Sequence, residues 1–325
     1  MNTNRDASQH TKNIRAKTLA TYYQTRTNNI NAGNVVLAPG RYADMRASIH
    51  TDVVVGKTEC CVPDIPSNSS DPTYETFYVA FTVAGSTTWT APATCQSPIT
   101  YWIVGGGGGG AGAFDQRGNG GGGGGAATTG TYAVVAGTTY TVVVGAGGAG
   151  GTGRGTQSGG PGSGTHTDGA DGTDSSFDAS NGGPVAAGGG KGLIGAPFRQ
   201  GGNGGGVTTG GGGGGGGGNG GGGGGAVGNG TNGAASGFGP AGTGGTGVSF
   251  TIPGYNGGIA QVYGVGGNGG VNRPSSFAVG TSGSANTGNG GGGGAAASFQ
   301  PPYAGGVITM GGNGGSGLVV IQYSA

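Results

Sequence analysis

The residues most suggestive of chemistry lie where an apolar run at 141–144 meets GAGGAG at 145–150. GAGGAG is a literal match to the G-x-G-x-x-G dinucleotide fingerprint, and Asp168 and Asp171 lie about 20 residues on, where a ribose-binding acid would sit. The mechanism requires a helix whose N-terminus meets the pyrophosphate. The next residues, GTGRGTQSGGP at 151–161, cannot be helical. The match is therefore read as a by-product of glycine content, and no cofactor is expected. Asp168, Asp171 and Asp174 recur every third residue in DGADGTD. That is either a set of oxygen ligands for Ca²⁺ or a solvated Asp–Gly turn, and the turn is the reading taken. His10, His50 and His166 show no zinc spacing, and neither a G-x-S-x-G elbow nor an H-E-x-x-H helix occurs. No catalytic or metal-binding residue is assigned, and the chain is read as non-enzymatic.

Short stretches between glycine runs carry aromatics with single charges: Phe114 and Arg117, Phe198 and Arg199, Phe238, Tyr255, Arg273 and Phe277, Phe299 and Tyr303. Rigid rings beside arginine make recognition surfaces, and these are the candidate recognition residues. The alternative is that the rings are buried plugs filling space that glycine cannot, or subunit contacts. Cys60, Cys61 and Cys95 are too few for a disulfide framework. They allow one bridge from Cys60 or Cys61 to Cys95, or reduced thiols throughout.

The elements that must position these groups divide the chain in two. Only four of its 92 glycines, Gly33, Gly40, Gly56 and Gly85, precede residue 105. Residues 1–73 hold most of the charge, with a short helix predicted over 14–30 and strands at 35–37 and 53–55. This part is read as an attachment or assembly arm, ending in a Pro- and Ser-rich linker. From Tyr74 onward the period becomes two. Phe77, Val79, Phe81 and Val83 fall on one face, and further strands are predicted at 87–90, 99–104, 131–135, 139–144 and 318–323. Gly137 to Thr139 would turn a hairpin between 131–135 and 139–144. The strands bracket the glycine-rich region, so they should pair into one small sheet or sandwich.

Between them, about two-fifths of residues 105–317 are glycine. Ordering such a segment requires nearly every backbone N–H and C=O to find a partner. Extended polyglycine helices in the polyproline II conformation offer that, with three residues per turn, ~3.1 Å rise and all polar groups pointing outward. Glycine-rich runs recur at 105–112, 118–125, 145–155, 201–206, 210–225, 264–270, 288–294 and 311–317, without a fixed period. Collagen is excluded because glycine is not confined to every third position and proline is sparse. The expected fold is all-β: a small sheet or sandwich scaffold carrying packed polyglycine II helices and irregular loops in residues 74–325, plus the N-terminal arm.

A net charge of +1 gives no electrostatic case for nucleic acid, and no apolar run approaches the ~20 residues of a membrane span. The N-terminus lacks the apolar core of a secretory signal.

The order of FTVAGSTTWTAP (81–92), YWIVGGGGGGAG (101–112), GTTYTVVVGAGGAG (137–150) and GGSGLVVIQY (314–323) resembles the glycine-rich domains of phage tail-fibre adhesins and related viral and bacterial surface proteins. The resemblance implies a sandwich of polyglycine II helices, with apical loops that touch a host receptor. It places the protein on a virion surface or outside a cell, carried there by a particle or a non-standard route. It leaves two functions as expectations. One is a structural subunit of a virion fibre or extracellular filament, self-associating as a homo-oligomer, trimer or polymer through residues 1–73. The other is a receptor-binding adhesin whose aromatic loops contact a host surface glycan or protein.

Overall fold

The computed structural model describes residues 74–112, 118–154, 166–194, 200–205, 210, 219–235, 239–271, 278–295 and 308–325. The predicted arm at 1–73 lies outside them. Among the described residues twelve strands form: β1 (Thr76–Phe81), β2 (Gly85–Thr90), β3 (Ile99–Val104), β4 (Ala127–Tyr132), β5 (Thr139–Val144), β6 (Thr152–Arg154), β7 (Ser175–Phe177), β8 (Val185–Ala186), β9 (Val248–Phe250), β10 (Gln261–Tyr263), β11 (Ile308–Met310) and β12 (Leu318–Ser324). Helical structure among the described residues is limited to 3₁₀ turns at Ala179–Asn181 and Asn256–Gly258. The fold is all-β.

Two antiparallel four-stranded sheets, ordered β1-β12-β3-β4 and β2-β5-β7-β8, pack face to face. Their common core takes Phe81, Ile99, Ile103, Val319 and Ile321 from the first sheet, and Trp89, Tyr140, Val142, Val144 and Phe177 from the second. Phe177 sits at its centre, fully buried, with ring centroids 5.4 Å from Tyr140, 5.5 Å from Tyr132 and 5.9 Å from Trp89. The C-terminal strand β12 lies between β1 and β3, and its residues 318–321 are completely buried because both faces of this sheet are covered. The second cover is the β9–β10 pair and its connection: Ile252, Tyr255 and Tyr263 pack on Ala80, Trp102, Val104, Leu318 and Val320. Gly254, at φ +73°, lies flat on the Tyr78 ring, where a Cβ would come within 2.5 Å of the ring.

Three details differ from the sequence reading. Val83 does not continue the alternation of Phe77, Val79 and Phe81: β1 ends at Phe81, and Val83 is exposed in the following turn. The strand expected at 131–135 lies earlier, at Ala127–Tyr132, because its register is set by pairing with β3 (Val104 opposite Ala127, Ile99 opposite Tyr132). Nor do β4 and β5 form a hairpin. They belong to different sheets, and Gly137, at φ +78°, turns the corner between them. The amides there are held by side chains, Val134 N donating to Ser97 Oγ (3.1 Å) and Val135 N to the Tyr140 hydroxyl (2.6 Å).

The strands also launch the glycine region. β3 runs directly into 105–112, segment 118–126 enters β4, β5 continues into 145–151, and 311–317 enters β12. Chains already paired in the sheets thus begin the glycine region side by side.

Candidate functional site

The glycine segments form a lattice of extended helices bonded to one another. Segment 105–112 shows the rule. Its amides donate in a cycle of three: Gly105, Gly108 and Ala111 to Ala126, Gly123 and Gly120; Gly106, Gly109 and Gly112 to Thr173, Ala170 and Thr167; Gly107 and Gly110 to Gly315 and Gly312. Its carbonyls accept in the same cycle, from Gly189 and Gly192, from Gly148 and Gly151, and from Gly291 and Gly294. Six neighbours surround it, three antiparallel by donation and three parallel by acceptance. Segment 118–126 also has six neighbours, with 105–111, 187–193, 267–270 and 288–291 antiparallel to it and 202–205 and 221–224 parallel. A three-residue turn with outward polar groups is the polyglycine II geometry. Neighbours therefore run both parallel and antiparallel.

Position in the lattice explains the two kinds of glycine sequence. Residues 105–112, 118–125, 219–225 and 290–295 are buried throughout, so nearly every position must be bare backbone. A Cβ on Gly108, Gly109 or Gly110 would meet a carbonyl oxygen of Gly190, Ala149 or Gly292 at 2.0–2.1 Å. In outer helices only one residue in three faces inward. Gly145, Gly148 and Gly151 are buried while Ala146 and Ala149 are exposed. This relaxed pattern lets 166–174, 187–194, 228–234, 241–247 and 280–283 join the lattice although they hold no long glycine run.

Short oxygen-bearing side chains serve the outer helices. Asp174, Asp171 and Asp168 each accept, through Oδ1, the amide of Gly188 (2.8 Å), Lys191 (2.7 Å) and Ile194 (2.9 Å) on the adjacent helix. Asp168 Oδ2 also meets Lys191 Nζ at 3.4 Å. Asn313 accepts from Gly150, Asn289 from Val265, Asn268 from Gly244 and Thr173 from Ala146, all at 2.8–2.9 Å. The aspartate row is thus part of the lattice, and it is neither the solvated turn read from the sequence nor a converging ligand set. Among the described residues no three His, Cys, Asp or Glu side chains gather to hold a metal ion. The GAGGAG run is equally absorbed: the amides of Gly145, Ala146, Gly148 and Gly150 donate to Ser175 Oγ, Thr173 Oγ1, the Gly107 carbonyl and Asn313 Oδ1, so amides that a phosphate would need are already engaged.

The lattice has two unlike ends. At the sandwich end Glu75 and Ala325 exchange backbone hydrogen bonds, so the chain enters and leaves together. At the opposite, distal end, lateral bonds tie Gly112 to Thr167, Ala111 to Gly294, Asn119 to Gly270, Leu193 to Gln200, Asn219 to Ala234 and Ala278 to Ala295. The described residues that flank 113–117, 155–165, 195–199, 236–238, 272–277 and 296–307 therefore lie at this end. Phe114, Arg117, Phe198, Arg199, Phe238, Arg273, Phe277, Phe299 and Tyr303 all fall on those stretches and so lie outside the described residues. Tyr255 does not join them. It is buried at the sandwich end against Tyr263, and it takes the plug role instead. Burial holds the Tyr263 hydroxyl pKa well above the usual tyrosine range. Cys95 is a buried free thiol whose Sγ lies 3.6 Å from the Gln96 carbonyl; Cys60 and Cys61 are outside the described residues. Burial raises the Cys95 pKa. Sequence reasoning missed Asp178, which is buried at φ +53° with Oδ2 accepting from the Tyr132 hydroxyl (2.9 Å) and Oδ1 from Asn181 (2.8 Å).

These features define a class: a β-sandwich that carries a polyglycine II lattice on the ends of its strands. The chain belongs to the glycine-rich domain family, whose model matches residues 82–324. No curated protein matches it. Among the described residues no helix is long and apolar enough to cross a membrane.

Proposed function

We propose that this chain is a non-enzymatic structural subunit of a virion fibre or extracellular filament, attached through its sandwich end with the lattice directed outward. The observation that supports this reading is the closed lattice itself. Segments 105–112 and 118–126 give their backbone bonds to six neighbours each and present almost no side chains, which suits a rigid spacer rather than a reaction site. The N-terminal residues join at Tyr74, beside the paired termini, where a link to a further subunit would leave the distal face free.

A second reading, a receptor-binding adhesin for a host surface glycan or protein, draws on the residue types in the stretches whose described flanks lie at the distal end. Aromatic and arginine residues on them are the types that stack on sugars and pair with acidic groups. Negative-stain microscopy of the purified full chain separates the two. Fibres that disappear when residues 1–73 are deleted, with the domain still folded, support the structural role. Compact particles of fixed small stoichiometry, with host-cell binding abolished by joint Arg117→Ala, Arg199→Ala and Arg273→Ala, refute it in favour of the adhesin.

A further inference from the structure

We infer that the side-chain oxygens on the outer helices close the lattice laterally, so that a second copy cannot extend it and self-association is confined to the domain's ends. An outer polyglycine helix directs one amide per turn away from its inner neighbours. Such a row, one donor every three residues or ~9 Å, is a template for another extended chain, as the free edge of a β-sheet is for another strand. Here a row of this kind is occupied. Gly188, Lys191 and Ile194 are one turn apart, and Asp174, Asp171 and Asp168 run antiparallel beside them at the same spacing, one carboxylate oxygen per amide. Only a short side chain with an acceptor, repeated at i, i+3 and i+6, can do this, which accounts for the DGADGTD motif. The same device recurs where Asn313 takes Gly150, Asn268 takes Gly244, Asn289 takes Val265, and Thr167 takes Thr152. A β-sheet blunts its edges with charge or bulges; this lattice does so by supplying its own acceptors. The inference does not depend on the fibre reading, but it limits the surfaces through which any fibre of this chain could grow.

The test compares wild type with two triple variants of the full chain, Asp168→Ala/Asp171→Ala/Asp174→Ala and Asp168→Asn/Asp171→Asn/Asp174→Asn. Asparagine keeps an acceptor and removes the charge. Light scattering across a concentration series should show the alanine variant forming larger species than wild type, and the asparagine variant matching wild type. Hydrogen exchange should show the Gly188, Lys191 and Ile194 amides protected in wild type and in the asparagine variant. An alanine variant that keeps wild-type mass while those three amides exchange freely overturns the inference. Association of both variants also overturns it, because charge repulsion would then be the barrier. If the alanine triple variant does not fold, single Asp171→Ala is judged by the same two measurements.

Discussion

Replacing Gly109 with Ala puts one methyl group where the lattice has no room, and the cost can be worked from the surrounding bonds. An ideal Cβ on Gly109 lies 2.0 Å from the Ala149 carbonyl oxygen, 2.5 Å from its carbon and 2.9 Å from the Gly148 oxygen. An ordinary contact begins near 3.4 Å, so the 145–151 helix would have to retreat by about 1.4 Å. That helix is held by Gly148 and Gly151 donating to Gly107 and Gly110, both at 2.8 Å. The retreat breaks both bonds and leaves buried donors and acceptors unpaired, at about 1–3 kcal/mol for each lost pair. A further 1–3 kcal/mol of overpacking strain brings the total to roughly 4 kcal/mol or more. Loss of backbone freedom in the unfolded chain returns only about 0.4–1 kcal/mol. Urea denaturation should therefore show a large drop in midpoint for Gly109→Ala, and none beyond about 0.5 kcal/mol for Ala149→Ser on the exposed side of the neighbouring helix. A loss below about 1 kcal/mol at Gly109 would refute the packing described for the interior helices.

Two other outcomes test the sandwich that launches the lattice. Phe177→Ala removes a fully buried ring touching Tyr132, Tyr140 and Trp89, and should cost about 3–5 kcal/mol in chemical denaturation. Tyr323, stacked on Phe77 at 5.3 Å, has its pKa pushed up to about 12 by burial and, secondarily, by Cys95. The unfolded chain releases that proton near pH 10 while the folded one keeps it, so this contribution to stability is intact below pH 10 and is lost as pH rises toward 12. Tyr323→Phe should flatten the pH dependence of stability over that window, read from chemical denaturation at successive pH values.

How much of this was legible depended on whether a residue's environment repeats locally. Strands 99–104, 139–144 and 318–323 were readable because apolar and β-branched residues are concentrated there. Interior helices were readable because enclosure on all sides forces nearly unbroken glycine. The outer helices were not, since one inward position in three leaves room for Asp, Thr, Lys and Leu, and 166–174 and 187–194 then resemble loops. A signal was present all the same: Gly169 and Gly172, with Asp168, Asp171 and Asp174, keep a three-residue spacing that matches one turn. The shift of β4 and the separation of β4 from β5 were set by pairing partners 23 or more residues away in sequence, beyond any local pattern. Tyr255 misled for the same reason, because a Pro-Gly turn gives no hint of the β9–β10 cover that buries it.

The division of labour between backbone and side chain then limits where this chain can acquire specificity. An interior glycine such as Gly110 accepts no substituent, so the lattice cannot be tuned by side chains without being opened. Outer rows can vary, but positions such as Asp171, Asn268 and Asn313 are already committed to amides of the adjacent helix. Lateral bonds fix the register of the helices at the distal end, as where Asn119 Nδ2 donates to the Gly112 carbonyl at 2.6 Å. A lattice of this kind is held rigid by its backbone, and side chains enter it only along its outer rows.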